Sequence, residues 1–194
     1  WNKDVDYLLT YCLGRVAVPF FLMTTGYFVI APYINTNFKK KHSLHKYITK
    51  NVILYLFATL FYIPLAIYSG NTPHNIGEFL KQLFFDGTFY HLWYFPAAII
   101  GCMLLIFMIK KSIGTAVIFS VIAYVIGLFG DSYYGIIKNV PFLSSLYDGF
   151  FYISSYTRNG IFFAPIFILL GVLLANPQFH CSKYLCKWGF IISL

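Results

Sequence analysis

The stretch that decides the fold is YCLGRVAVPFFLMTTGYFVIAP, residues 11–32. It is an apolar run long enough to cross a bilayer, and it carries one permanently charged side chain, Arg15, near its start. A charge inside hydrocarbon costs at least about 2.5 kcal/mol, so a polar group must receive the guanidinium. On a helix, Pro19 and Gly26 share the face of Arg15, and Gly26 lets a neighbouring helix approach closely. We therefore expect the functional centre beside Arg15.

The composition is that of a polytopic membrane protein. Of 194 residues, 59% are hydrophobic and 22% are aromatic, only 10% are charged, and several apolar runs reach spanning length. The formal net charge of +8 comes from lysines clustered beside these runs, which is the positive-inside pattern rather than a nucleic-acid surface. We predict an all-α polytopic transmembrane helical bundle with no nucleic-acid partner, no metal site and no bound cofactor.

The apolar runs predict about five complete spans and the start of a sixth. The sixth run begins at Trp188, and the five predicted spans are residues 8–31, 52–68, 92–109, 113–129 and 160–175. Residues 130–159 are too polar for an ordinary span, and we expect them at the outer membrane interface. We predict a single integral-membrane domain, residues 1–194, that is a fragment truncated at both ends.

The lysines give the predicted orientation, because short cytoplasmic loops of membrane proteins are rich in Lys and Arg. Placing the lysine-rich loop 39–50 in the cytoplasm also places the turn at residues 110–111 there. Residues 70–91 and 130–159 are then outside. The first span enters from the outer face, and at 1.5 Å per residue Arg15 lies about 10 Å below that face.

Several residues that could take part in catalysis or ligand binding lie on the outer side in this topology. They are Arg15 in the first span, His91 and Trp93 at the start of the third, Asp131 after the fourth, and Arg158 and Asn159 before the fifth. A histidine can act as a base, an arginine can hold a carboxylate, a phosphate or a developing oxyanion, and an aromatic ring can stack on a sugar. We predict that Arg15 and His91 are catalytic, and the predicted substrate-binding residues are Arg158, Asn159, Asp131 and Trp93.

The same residues also fit structural roles. Arg15 can bond to the Asp131 region or to backbone carbonyls, and His91 in its aromatic setting fits an interface anchor. Arg158 is a poor partner for the helix N-terminus that it precedes, which indicates a carboxylate or a ligand opposite it. Asp131 fits a helix cap or an ion-pair partner.

A family resemblance rests on four ordered motifs that cover nearly the whole chain. The first, GRVAVPFFLMTTGYFV, resembles the second-helix motif R-x-x-x-P-x-F-F-x-x-S-G-Y of the membrane acyltransferase-3 family, with Thr25 in the serine position. The later motifs are HLWYFPA, GLFGDSYYG and TRNGIFFAPIFILLG. They resemble the same family, and especially the membrane domain of the vancomycin-resistance serine racemases of bacteria.

The resemblance implies a fragment of a roughly ten-helix membrane domain. It implies an O-acyltransferase that moves an acyl group, commonly acetyl from cytoplasmic acetyl-CoA, to a hydroxyl of a cell-surface glycan or similar acceptor. The family's motif arginine corresponds to Arg15, and its candidate catalytic histidine lies on a preceding helix that we expect this fragment to lack. Membrane lipids and the acceptor are then the partners.

The serine racemase relatives imply an alternative function. In them the membrane domain is thought to bring L-serine to a cytoplasmic racemase domain. The chain is then an amino-acid transport module, fused to a racemase domain in the full-length protein, and Arg15 or Arg158 holds the substrate carboxylate.

Overall fold

The computed structural model describes residues 14–70, 73 and 75–176, and helices make up most of this part of the chain. The α-helices are α1 (Gly14–Thr25), α2 (Ala31–Asn35), α3 (Lys41–Tyr68), α4 (Ile76–Lys81), α5 (Tyr94–Lys111), α6 (Ile113–Gly130), α7 (Tyr134–Ile137), α8 (Pro141–Ile153) and α9 (Ala164–Leu174). A π-helical turn, Gly26–Ile30, joins α1 to α2, and a second one, Gln82–Asp86, follows α4. A 3₁₀ turn, Tyr90–Trp93, leads into α5. The predicted all-α fold is confirmed.

Four helical stretches are long and apolar enough to cross a membrane: Val16–Asn35, Lys41–Tyr68, His91–Lys111 and Ile113–Gly130. They correspond to the first four predicted spans. The fifth predicted span contains α9, a shorter apolar helix of 11 residues. The start of the first predicted span and the beginning of the sixth lie outside the described residues.

Helix α3 starts earlier than the hydropathy pattern predicts. The lysine-rich segment 41–50 was expected within a loop, and it forms the first turns of α3 instead. Neither glycine nor proline occurs in this segment, so nothing in it interrupts a helix that the apolar residues after it continue. The connection from α2 to α3 is therefore only the short turn at residues 36–40.

Helices α1, α5 and α9 meet at the centre of the bundle. A Cβ atom at Gly26 would overlap the carbonyl of Ile168, and one at Gly171 would overlap the carbonyl of Met23, so α1 and α9 cross with their backbones in contact. Small residues allow such close packing between membrane helices. The completely buried core side chains include Leu22, Ile30, Leu105 and Ile168. The close approach predicted for Gly26 is confirmed.

Helix α3 lies at the periphery of this core. Most of its apolar side chains are exposed, and specific polar contacts attach it to the segment after α4. The Tyr55 hydroxyl donates to the Leu83 carbonyl (2.9 Å) and accepts the N–H of Thr88 (3.2 Å). The hydroxyl oxygens of Thr59 and Thr88 are 2.8 Å apart. The C-terminal half of α3 is therefore attached by these hydrogen bonds and by the stacking of Tyr55 on Phe95 and of Tyr62 on Phe89.

The connecting segments lie at the two ends of the bundle in the grouping that the lysine pattern predicts. At one end, Nζ of Lys110 lies 5.7 Å from the centre of the Phe38 ring, which brings the turn at 36–40 beside the end of α5. At the other end, Asp86 Oδ1 accepts the N–H of Ser155 (2.8 Å), which joins the segments after α4 and after α8. Which side of the membrane each end faces stays a prediction.

Candidate functional site

A cavity of about 600 Å³ lies between α1, α6 and α9, a volume within the usual range of small-molecule sites. Its lining residues are Val18, Pro19, Trp93, Tyr124, Gly127, Leu128, Asp131, Ser132, Thr157, Arg158, Phe163 and Phe167. Val18 and Pro19 come one helical turn after Arg15, whose side chain lies outside the described residues. A cavity therefore begins one helical turn beyond Arg15, and a functional centre at Arg15 itself stays a prediction.

One part of the cavity lining is aromatic. The rings of Trp93 and Phe163 meet edge to face with their centroids 5.9 Å apart, and those of Tyr124 and Phe167 do so at 5.7 Å. Phe163 and Phe167 lie one turn apart, with centroids at 4.8 Å. Such a wall suits a sugar ring or the apolar part of a ligand.

The other part is polar and holds an ion pair. Arg158 Nε lies 3.1 Å from Asp131 Oδ2, with the two side chains 41% and 35% exposed. Exposed pairs contribute only about 0–1 kcal/mol to stability, so stability alone does not account for two charges in a cavity. The pair occupies one of the five N–H donors of the guanidinium, and its partial exposure leaves others for a ligand. The hydroxyls of Ser132 and Thr157 line the same region.

The ion pair is anchored to the last turn of α6. Thr157 Oγ1 donates to the Gly127 carbonyl (2.7 Å), and the Tyr147 hydroxyl donates to the Ile126 carbonyl (2.8 Å). Burial raises the pKa of Tyr147, whose hydroxyl is already protonated at physiological pH at its ordinary pKa. These bonds bring the loop that carries Arg158 to the end of the helix that precedes Asp131.

Asn159 lies beside the cavity and not in its lining. It is 1% exposed, and its Nδ2 donates to Ser154 Oγ (3.2 Å) and to the Tyr156 carbonyl (3.0 Å). Its Oδ1 accepts the N–H groups of Ile161 (3.0 Å) and Phe162 (3.1 Å). The predicted substrate-binding amide is thus bonded within the loop on both sides of Arg158.

A family model described as an acyltransferase domain matches residues 1–194. The chain belongs to the acyltransferase-3 family. The resemblance carried by the four motifs is therefore confirmed. No solved structure matches the chain significantly.

The curated relatives of this acyltransferase-3 chain are named racemases. Two Enterococcus faecalis proteins named amino-acid racemase are each 45% identical to it, one over 93% of the chain and 27% of the relative, the other over 94% and 26%. A serine/alanine racemase of Enterococcus gallinarum is 39% identical over 97% of the chain and 28% of the relative. The chain spans about a quarter of the length of these relatives.

The structure brings three of the predicted site residues of the acyltransferase-3 chain together, namely Arg158, Asp131 and Trp93. His91 is exposed in the 3₁₀ turn before α5 and does not line the cavity. The sequence analysis named Trp93 alone of the aromatic wall. It offered Asp131 as an ion-pair partner and a carboxylate opposite Arg158, without pairing these two residues with each other. The spacing of Phe163 and Phe167, four residues apart and therefore on one helix face, was the available signal for part of that wall.

Proposed function

We propose that this chain is part of a membrane acyltransferase that moves an acyl group, in particular acetyl, from a cytoplasmic acyl-CoA to a hydroxyl of a cell-surface glycan or a similar acceptor. The observation that supports it most is the cavity itself, which combines an aromatic wall with an ion pair. Its lining also includes Val18 and Pro19, one helical turn after the family's motif arginine, Arg15. The acceptor binds in this cavity. Its ring or apolar part stacks on the aromatic wall, and Arg158 holds an anionic group.

In this reaction the acceptor hydroxyl attacks the thioester carbonyl, and the carbonyl oxygen becomes an oxyanion. Arg15 stabilises that oxyanion, while the leaving thiolate receives the proton that a base has taken from the hydroxyl. The family resemblance places this base, a histidine, on a preceding helix. His91 is the candidate within the described residues, and reaching the reacting atoms from outside the cavity lining requires a movement of the 3₁₀ turn.

The test uses the full-length protein in proteoliposomes, with radiolabelled acetyl-CoA on the side of the turn at residues 36–40. We expect Arg15→Ala to lower transfer about 100-fold or more, because one oxyanion donor contributes about 2.7–4 kcal/mol. Lys138→Ala is the matched control, since Lys138 is an exposed cation that does not line the cavity. A correctly inserted Arg15→Ala protein with nearly full transfer would contradict the proposal.

A second candidate function is transport of L-serine or a related amino acid for a racemase domain in the full-length protein. The specific observation in its favour is the opposite charge of Arg158 and Asp131 in one cavity, since a zwitterion offers a carboxylate to the first and an ammonium to the second. The names of the curated relatives also support it.

Asp131→Asn separates the two candidates. The variant weakens binding of radiolabelled L-serine, because it removes the partner of the ammonium group. The same change leaves binding of a purely anionic acceptor unchanged or tighter, because a competing carboxylate is gone. Serine uptake that depends on Asp131 and Arg158, without acetyl transfer, would favour the transport module.

A further inference from the structure

Asp86 ends the π-helical turn after α4, and its backbone is firmly placed. Gly87 follows with φ +80°, and a Cβ there would overlap the backbone nitrogen of Trp93, so only glycine fits. The bonds of Tyr55 to Leu83 and Thr88 hold the same segment against α3. Asp86 is therefore a fixed point beside the backbone that carries Trp93 in the cavity wall.

The carboxylate of Asp86 reaches across to the loop after α8. Oδ1 accepts the N–H of Ser155 (2.8 Å). The Ser154 hydroxyl shares its single proton between Asp86 Oδ1 (3.0 Å) and the Tyr156 carbonyl (2.6 Å). Ser154 Oγ in turn accepts from Nδ2 of Asn159 (3.2 Å). A continuous set of hydrogen bonds thus runs from Asp86 to the residue next to Arg158.

This network determines where the backbone of Arg158 lies. Ser154 and Asn159 are almost completely buried, and their polar groups are bonded on both sides of Arg158. Arg158 is itself partly exposed, and its ion pair is with Asp131, which lies on another segment. A half-exposed guanidinium does not hold its own loop in place, because surface ion pairs are weak.

We propose that Asp86 is a positioning residue that holds the Arg158 loop so that the guanidinium faces Asp131 across the cavity. The proposal deepens the proposed function by adding a residue to the same site, and its test below needs no substrate. Asp86 touches neither the cavity nor, by this assignment, the ligand. It acts through Ser154, Ser155 and Asn159.

A purely structural role for Asp86 predicts something different. In that case its loss lowers the stability of the whole end of the bundle and leaves the Arg158 ion pair intact in the molecules that stay folded. Lys81 offers the matched comparison, because its Nζ donates to the Phe151 carbonyl (2.9 Å) and so joins the same two segments outside the Asp86 network.

The experiment measures the rate at which phenylglyoxal modifies Arg158 in the full-length protein in nanodiscs, followed by mass spectrometry of the peptide that contains Arg158. The guanidine nitrogens attack the carbonyl carbons of the reagent, and the Asp131 carboxylate hinders this attack where it is bonded to the guanidinium. The Asp131→Asn variant serves as the reference, because it gives the modification rate of Arg158 without its ion-pair partner. We expect Arg158 to react roughly tenfold faster in Asp86→Ala than in the wild type. Loss of a charge-assisted hydrogen bond would shift the equilibrium between paired and unpaired Arg158 by about that factor. Asp86→Asn, which keeps an acceptor oxygen, and Lys81→Gln stay near the wild-type rate.

The double variant Asp86→Ala with Asp131→Asn tests whether Asp86 acts through the ion pair. It reacts no faster than Asp131→Asn alone if the proposal is correct. A wild-type rate in folded Asp86→Ala protein, or additive rates in the double variant, overturns the proposal. If Asp86→Ala does not fold, Ser154→Ala decides in the same way, because it removes the acceptor of Asn159 and leaves the bond between Asp86 and Ser155. Failure of the acyl-transfer and serine assays leaves these rates unaffected, so the two proposals fail separately.

Discussion

The crossing of α1 with α9 and the C-terminal half of α3 are both apolar, and one of them is buried while the other is exposed. At the crossing, Gly26 and Gly171 bring two backbones into contact and the nearby Leu22 is 0% exposed. On α3, Phe61 is 75% exposed and the helix is fastened by hydroxyl groups. Hydropathy therefore identifies which segments enter the membrane, whereas the position of small residues identifies which of them form the centre of the bundle.

The largest effect is expected at the crossing. Gly171→Leu prevents α1 and α9 from docking, because even its Cβ overlaps the Met23 carbonyl, and we expect no folded protein. Gly114→Leu is the matched control, since a Cβ at this exposed glycine of α6 meets nothing closer than Ser112 Oγ at 3.4 Å. Size-exclusion chromatography of the full-length protein in detergent checks both variants. Equal folded yield would refute backbone contact at the crossing.

The buried crossing and the exposed face of α3 can also be compared by removing one side chain from each. Leu22→Ala is expected to lower the free energy of unfolding by about 2 kcal/mol, the low end of the usual range, because lipid solvates the exposed leucine in the reference state. Phe61→Ala removes a larger side chain, and its expected effect is within about 0.5 kcal/mol. Unfolding of the full-length protein by titration with sodium dodecyl sulfate measures both. A Phe61→Ala cost equal to that of Leu22→Ala would show that another part of the protein covers α3.

A smaller loss of stability than for Leu22→Ala is expected at the attachment of α3. Tyr55→Phe removes a donor to Leu83 and an acceptor for Thr88, and we expect a loss of about 1 kcal/mol. Tyr68→Phe on the same helix is the control. Because Tyr68 is 90% exposed, we expect its substitution to change the free energy of unfolding little. The same detergent titration compares the two variants. Identical midpoints would mean that the hydrogen bonds of Tyr55 do not fasten α3.

The helical fold and the core position of Gly26 could be predicted because both depend on local patterns. Apolar runs give the spans, and the helical repeat places Pro19 and Gly26 on one face. The lysine-rich start of α3 could not be placed by hydropathy, because a helix can extend beyond the apolar segment that crosses the membrane.

The site could be predicted only in part, for a related reason. The sequence indicated an oppositely charged partner for Arg158 and for Asp131. Their pairing with each other depends on how the loop after α8 folds back onto the end of α6. Ser154 and Asn159 in that loop are bonded to each other, and Ser154 also contacts Asp86, which lies 68 residues earlier in the sequence. Contacts between distant segments are set by tertiary structure, which a single sequence does not show.

The π-helical turn between α1 and α2 affects how residues of this span are assigned to helix faces when the chain is aligned with its relatives. The N–H of Ala31 bonds to the carbonyl of Gly26, five residues back, so the turn contains one residue more than an α-helical turn. The halves on either side of it are rotated relative to each other, and the upstream half presents Val18 and Pro19 to the cavity while Ile30 and Ala31 enter the core independently. A helical wheel drawn through the whole span is therefore out of phase beyond Gly26. A relative that lacks one residue within Gly26–Ile30 would restore a plain α-helix and turn α2 relative to the half of the span that lines the cavity.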